Sequence, residues 1–100
     1  MLYALIGEDA PGSLERRLKA RPEHLARLDA LQAQGRLVLA GPFPAIDSPD
    51  PGAAGFAGSL IVAEFDSQPA AEAWMAADPY VEQGVFGSTQ VRPFKQVYPK

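Results

Sequence analysis

Two short runs constrain this chain more than anything else in it: LYALIG (residues 2–7) and GSLIVAEF (58–65) are apolar on both of their alternating sets. In an extended chain Leu2, Ala4 and Ile6 fall on one side and Tyr3 and Leu5 on the other, just as Leu60 and Val62 oppose Ile61, Ala63 and Phe65. Strands of this kind require cover on both faces. The 100 residues have room for one domain, 1–100, burying roughly two-thirds of the surface its unfolded form exposes.

Between the strands the punctuation predicts two helices. Pro22 suits a first helical turn, apolar residues recur at Leu25, Leu28 and Leu31, and Gly35 stands where a left-handed cap belongs, so a helix is expected over 22–34. RLVLAG follows as a short strand ending at Gly41-Pro42, and then residues 42–57, in which Pro42, Pro44, Pro49 and Pro51 argue against regular structure. A loop of that length in so small a domain suggests a lid over a pocket. Ser67 offers a cap for a second helix, with Pro69 in its first turn, running through Ala73 and Trp74 to about Ala77. The last strand is expected within 85–97, at an edge or with a bulge because of Pro93. The order β-α-β-β-α-β is the ferredoxin-like α+β arrangement, with two helices on one face of an antiparallel sheet. Two helices cover one face only. The other is then a large apolar patch, and a homodimer packed sheet against sheet is expected, the alternative being closure by the proline-rich loop.

Composition excludes several classes of function. Cysteine is absent, which removes disulfides, thiolate metal sites and cysteine nucleophiles, and a single histidine makes a zinc or copper site unexpected. The net charge of −3, with nine Lys and Arg scattered along the chain, gives no stripe for nucleic acid. No apolar run approaches the roughly 20 residues of a membrane span, and MLYALIGEDAPG lacks the features of a signal peptide, so a cytoplasmic protein is expected. None of the five serines sits in a G-x-S-x-G elbow.

What remains is the histidine itself. On a helical wheel His24 shares the inward stripe with Leu28 and Leu31, near the start of the 22–34 helix. A hydrogen-bonded core imidazole and a general base both fit that position, and the second needs a carboxylate to orient it. Asp78 stands at the C-terminal end of the second helix, where the helix dipole disfavours a negative charge, so something else must hold it. It either caps a short turn beginning at Pro79 or reaches His24; Glu23 is a weaker rival, pointing to another helix face.

R-P-E-H-L at 21–25, Gly35 and Leu37, A-G-P at 40–42, G-S at 58–59, E-A-W at 72–74, D-P-Y at 78–80 and G-V-F at 84–86 occur in order over nearly the whole chain. Together they resemble the YciI-like family. The resemblance implies a dimeric α+β barrel, related to muconolactone-isomerase-like proteins, with a pocket around the histidine and aspartate, here His24 and Asp78. It also implies cofactor-free chemistry, elimination on small ring compounds where an activity has been attributed. The leading expectation is a lyase or isomerase without cofactor or metal, in which His24 moves a proton, Asp78 fixes its tautomer, and Arg21, Ser59 and Tyr80 orient an anionic or phenolic substrate. The rival is a non-catalytic ligand-binding or dimerisation module with a structural His24–Asp78 pair. A catalytic pair borders a cavity; a structural one is packed on every side.

Overall fold

A computed structural model describes residues 1–100. In chain order the elements are β1 (Leu2–Asp9), α1 (Leu14–Ala33), β2 (Leu37–Pro44), a 3₁₀ turn (Gly52–Ala54), β3 (Phe56–Glu64), α2 (Gln68–Ala76), α3 (Pro79–Glu82) and β4 (Phe86–Phe94). The four strands form one antiparallel sheet in the order β2-β3-β1-β4, the ferredoxin-like arrangement. No helix is long and apolar enough to cross a membrane.

Three boundaries differ from expectation. α1 begins eight residues before Pro22, which lies inside the helix rather than in its first turn. An interior proline removes the bond to the carbonyl four residues back, here that of Leu18; Leu18 and Pro22 are both exposed, so that carbonyl lies on the solvent side. The helix ends as expected: Gly35 takes φ +70°, and the Arg36 N–H donates to the Leu31 carbonyl, 3.0 Å, closing a Schellman cap. β2 runs through Pro42 to Pro44, because it is an edge strand with β3 as its one neighbour and has no ladder to break on its outer side. The loop is thereby shortened to 45–55, and it folds toward the start of α1, forming a shallow recess between 9–14 and 53–56. Ser67 caps α2 as expected, its hydroxyl accepting from the Ala70 N–H at 3.2 Å. β4, with Pro93, is the other edge.

The core lies between the helices and one sheet face. Tyr3, Leu5, Ile61 and Ala63 of that face pack with Ala20 and Leu31 of α1, Ala71 and Met75 of α2, and Tyr80 and Phe86. Gly7 occupies a position where a Cβ would fall 2.5 Å from the Phe86 ring, so only glycine admits that ring against the sheet. The register places Leu2, Ala4, Ile6, Leu39, Phe43, Leu60, Val62 and Phe94 on the opposite face. No helix covers it, and Leu39, Phe43 and Phe94 are exposed.

Candidate active site

α1 starts early enough to carry Arg17, Arg21, His24 and Leu28, spaced four, three and four residues apart, along one side. His24 is therefore in the middle of a long helix, not near its N-terminus. The stripe faces the β2–β3 half of the sheet across a cavity of about 190 Å³, whose lining includes these four residues with Ala40, Pro42, Ser59, Ile61 and Tyr80. No residue of the 45–55 loop lines it, so the lid expected there is absent and the wall on that side is β2 itself.

His24 and Asp78 meet behind this cavity. The imidazole Nδ1 is 2.9 Å from Asp78 Oδ1 and 3.0 Å from Oδ2, and both side chains are buried. Asp78 also caps α3, Oδ1 accepting the Tyr80 N–H at 2.9 Å, so the local turn and the contact with His24 coexist. The difficulty of a carboxylate at the end of α2 is resolved by a residue that periodicity did not single out. Arg27 donates from Nη1 to Asp78 Oδ2, 3.1 Å, and from Nη2 to the Trp74 carbonyl, 2.8 Å, with its guanidinium 3.9 Å from the Trp74 ring centroid. Glu23, the weaker rival, is exposed.

Of the two imidazole nitrogens, Nδ1 is thus committed and Nε2 is not. Nε2 has no protein partner, while no fully buried side-chain nitrogen or oxygen is left unpaired, so Nε2 opens to the cavity that His24 lines. A carboxylate against Nδ1 selects the tautomer that carries its proton there, leaving the Nε2 lone pair toward the cavity.

Tyr80 is the second wall of the site. Arg17 and His24 are two helical turns apart, about 10.5 Å of rise, a gap that admits one aromatic ring. The Tyr80 centroid lies 3.9 Å from that of His24, the rings within 11° of parallel, and 4.7 Å from the Arg17 guanidinium carbon. Phe86 meets it edge-on at 5.5 Å. Burial holds the Tyr80 phenol above the ordinary tyrosine range; the Arg17 and Arg21 charges oppose this, and Asp78 adds to it. Tyr80 is therefore a neutral hydroxyl at physiological pH, able to donate as well as accept.

Arg17 is the other residue missed by the sequence reading. It is buried, it grips Asp9 with Nε and Nη2 at 2.8 and 2.7 Å, and Nη2 reaches the Gly58 carbonyl at 3.2 Å and Ser59 Oγ at 3.0 Å. Ser59 is accordingly a partner of Arg17 at the cavity wall. Arg21, exposed at the rim, makes no protein hydrogen bond or ion pair and is the one guanidinium of the three without a carboxylate. The signal that would have found Arg17 is its spacing, seven residues before His24; placing the helix start at 22 hid it.

Residues 1–95 match the YCII-related domain. The chain is 57% identical over 98 residues to Protein YciI of Escherichia coli O6:H1, covering 98% of this chain and 100% of that one, and 51% identical over the same length to an uncharacterized protein of Haemophilus influenzae. Among solved structures it is similar to 5-chloro-2-hydroxyhydroquinone dehydrochlorinase (TftG) from Burkholderia phenoliruptrix AC1100 in complex with 2,5-dihydroxybenzoquinone, with a TM-score of 0.82, 28% identity, and coverage of 95% of this chain and 94% of that one. With a family match over 95 of its 100 residues and close relatives aligned almost end to end, the chain belongs to the YCII-related family.

Proposed function

We propose that this protein is a cofactor-independent lyase or isomerase for a small hydroxylated ring compound, with His24 as its general base and acid. The observation that carries the reading is the asymmetry of the imidazole, Nδ1 held by Asp78 and Nε2 open to the cavity. Nε2 accepts a proton from a ring hydroxyl or carbon, the freed electron pair moves into the ring, and either a leaving group departs with its bonding pair or the proton returns at another carbon. Asp78 keeps the tautomer and steadies the imidazolium in between. A cavity on the order of 150 Å³ holds a benzene ring, so about 190 Å³ suits one substituted ring. Arg21 supplies the charge for a phenolate or carboxylate, and the Tyr80 hydroxyl and Ser59 supply hydrogen bonds. The similarity to a dehydrochlorinase complexed with a dihydroxybenzoquinone supports elimination on such rings.

Small hydroxylated and chlorinated ring acids, screened by thermal shift and then for chloride release or isomer formation, test this. A ligand at a hundred times its Kd adds about 2.7 kcal/mol of stability. Turnover is expected in the wild type and is expected to fall roughly 10²- to 10⁴-fold in His24→Ala, with binding largely kept. In Asp78→Asn the amide donates to Nδ1 and forces the proton onto Nε2, so turnover falls while binding persists. Ligands that bind without any turnover would instead identify a binding module.

The uncovered sheet face supports a homodimer packed sheet to sheet. Eight apolar side chains share that face, three of the large ones exposed, which is more than a monomer ordinarily leaves open. Leu39→Asp, at an exposed position of that face, is expected to yield a folded monomer by light scattering; a wild type that is already monomeric at micromolar concentration would end the assembly proposal.

A further inference from the structure

We propose that Arg27 is a positioning residue that divides the charge of Asp78, so that His24 is oriented by the carboxylate without being held as a permanent imidazolium; this rests on the reading of His24 as the base. Arg27 and His24 are three residues apart on α1, hence on adjoining positions of one side, and both reach the same carboxylate across more than fifty residues of sequence. His24 Nδ1 lies near both oxygens, the Tyr80 N–H takes Oδ1 and Arg27 takes Oδ2. Asp78 is fully buried. A buried carboxylate whose only cationic neighbour is an imidazole favours the charged pair, which would occupy the Nε2 lone pair with a proton. A guanidinium is always charged; placed at Oδ2, it neutralises Asp78 whatever the state of His24.

Arg27 is itself fixed for this purpose. Its two terminal nitrogens divide between Asp78 Oδ2 and the Trp74 carbonyl. That carbonyl is free because the Asp78 N–H bonds the Met75 carbonyl instead. The indole of Trp74 fixes the plane of the guanidinium. The other charged or titratable groups around His24 are accounted for: Arg17 is tied to Asp9, Arg21 is at the rim, Glu23 is exposed, and Tyr80 is a neutral phenol.

Because the chain has one histidine, its imidazole NMR signals belong to His24 without ambiguity. Titration of the wild type, Arg27→Gln, Arg27→Met and Arg27→Lys tests the proposal without any substrate. Arg27→Gln keeps hydrogen-bonding groups for Asp78 and Trp74 and removes the charge; its imidazole midpoint is expected to move up by about one pH unit, a tenfold gain in proton affinity. Arg27→Met is expected to shift the same way, and Arg27→Lys to return at least half of the shift. A midpoint that stays or falls in either neutral variant, with the far-UV spectrum of the wild type retained, overturns the proposal. An active His24→Ala would overturn the catalytic reading alone and leave the titration result standing.

Discussion

The molecule buries two aspartates against α1, and they do opposite things. Asp9, at the end of β1, meets Arg17 fork to fork at 2.8 and 2.7 Å; Nη2 also reaches the Gly58 carbonyl and Ser59, while Nη1 makes no hydrogen bond in the protein. Asp78 meets His24 at 2.9 Å and Arg27 at 3.1 Å, and there the atom left with nothing in the protein to bond is His24 Nε2. Both carboxylates are almost wholly withdrawn from solvent, so burial does not separate structure from chemistry here. The kind of atom left unpaired does. A guanidinium stays charged and its spare N–H can only donate a hydrogen bond, whereas the imidazole is held in place and still has a lone pair to offer.

That contrast predicts a large difference in stability. Asp9→Ala strands a buried guanidinium and is expected to lower the unfolding free energy by about 3–5 kcal/mol, a large part of what a domain of this size possesses. Asp78→Asn keeps a carbonyl oxygen for the Tyr80 N–H and turns its amide toward His24 Nδ1; Arg27 loses its acceptor at Oδ2 but is partly exposed and keeps the Trp74 carbonyl, so the loss is expected to be only about 1–3 kcal/mol. Urea unfolding of the two variants beside the wild type measures both. If Asp78→Asn proves the more destabilising, the division into a structural and a functional pair is broken.

The same contrast explains what could be read in the residue order. The strand patterns, the glycine cap at Gly35, the serine cap at Ser67 and the edge position of Pro93 are local signals, legible because their physics is local. The inward position of His24 was legible from leucine spacing, and Asp78 announced itself by standing at the wrong end of a helix. Arg17 is marked only by its spacing from His24 and Arg27 by nothing local, because a charged residue on an amphipathic helix defaults to solvent unless a carboxylate elsewhere compensates it. Those carboxylates sit 8 and 51 residues away and are brought close only by the folded sheet and α3. Pro22 and Pro42 misled for a related reason: an interior proline is tolerable at an exposed helix position or on an outer strand, and neither is known before the topology. The family resemblance pointed to the two site residues but was silent about the arginines behind them.

Tyr80 sharpens the comparison, because it touches both clusters, stacked on His24 and over the Arg17 guanidinium. Its proton affinity in the folded protein is raised, chiefly by burial, with Arg17 and Arg21 opposing. The unfolded chain therefore ionises this phenol first as the pH climbs. The stability associated with the neutral phenol is complete below the ordinary tyrosine value of about 10 and is lost as the pH rises from there through the folded value. Tyr80→Phe removes that dependence while keeping the ring between the two clusters, and every other ionisable group is common to both proteins. Unfolding free energies measured at pH 8 and pH 11 are expected to fall further for the wild type than for Tyr80→Phe. This is the smallest of the three effects, since the two guanidiniums offset part of the burial. A Tyr80→Phe protein whose alkaline loss equals that of the wild type would mean that the phenol is not sequestered, and the wall shared by the Arg17 and His24 clusters would have to be drawn as solvent rather than protein.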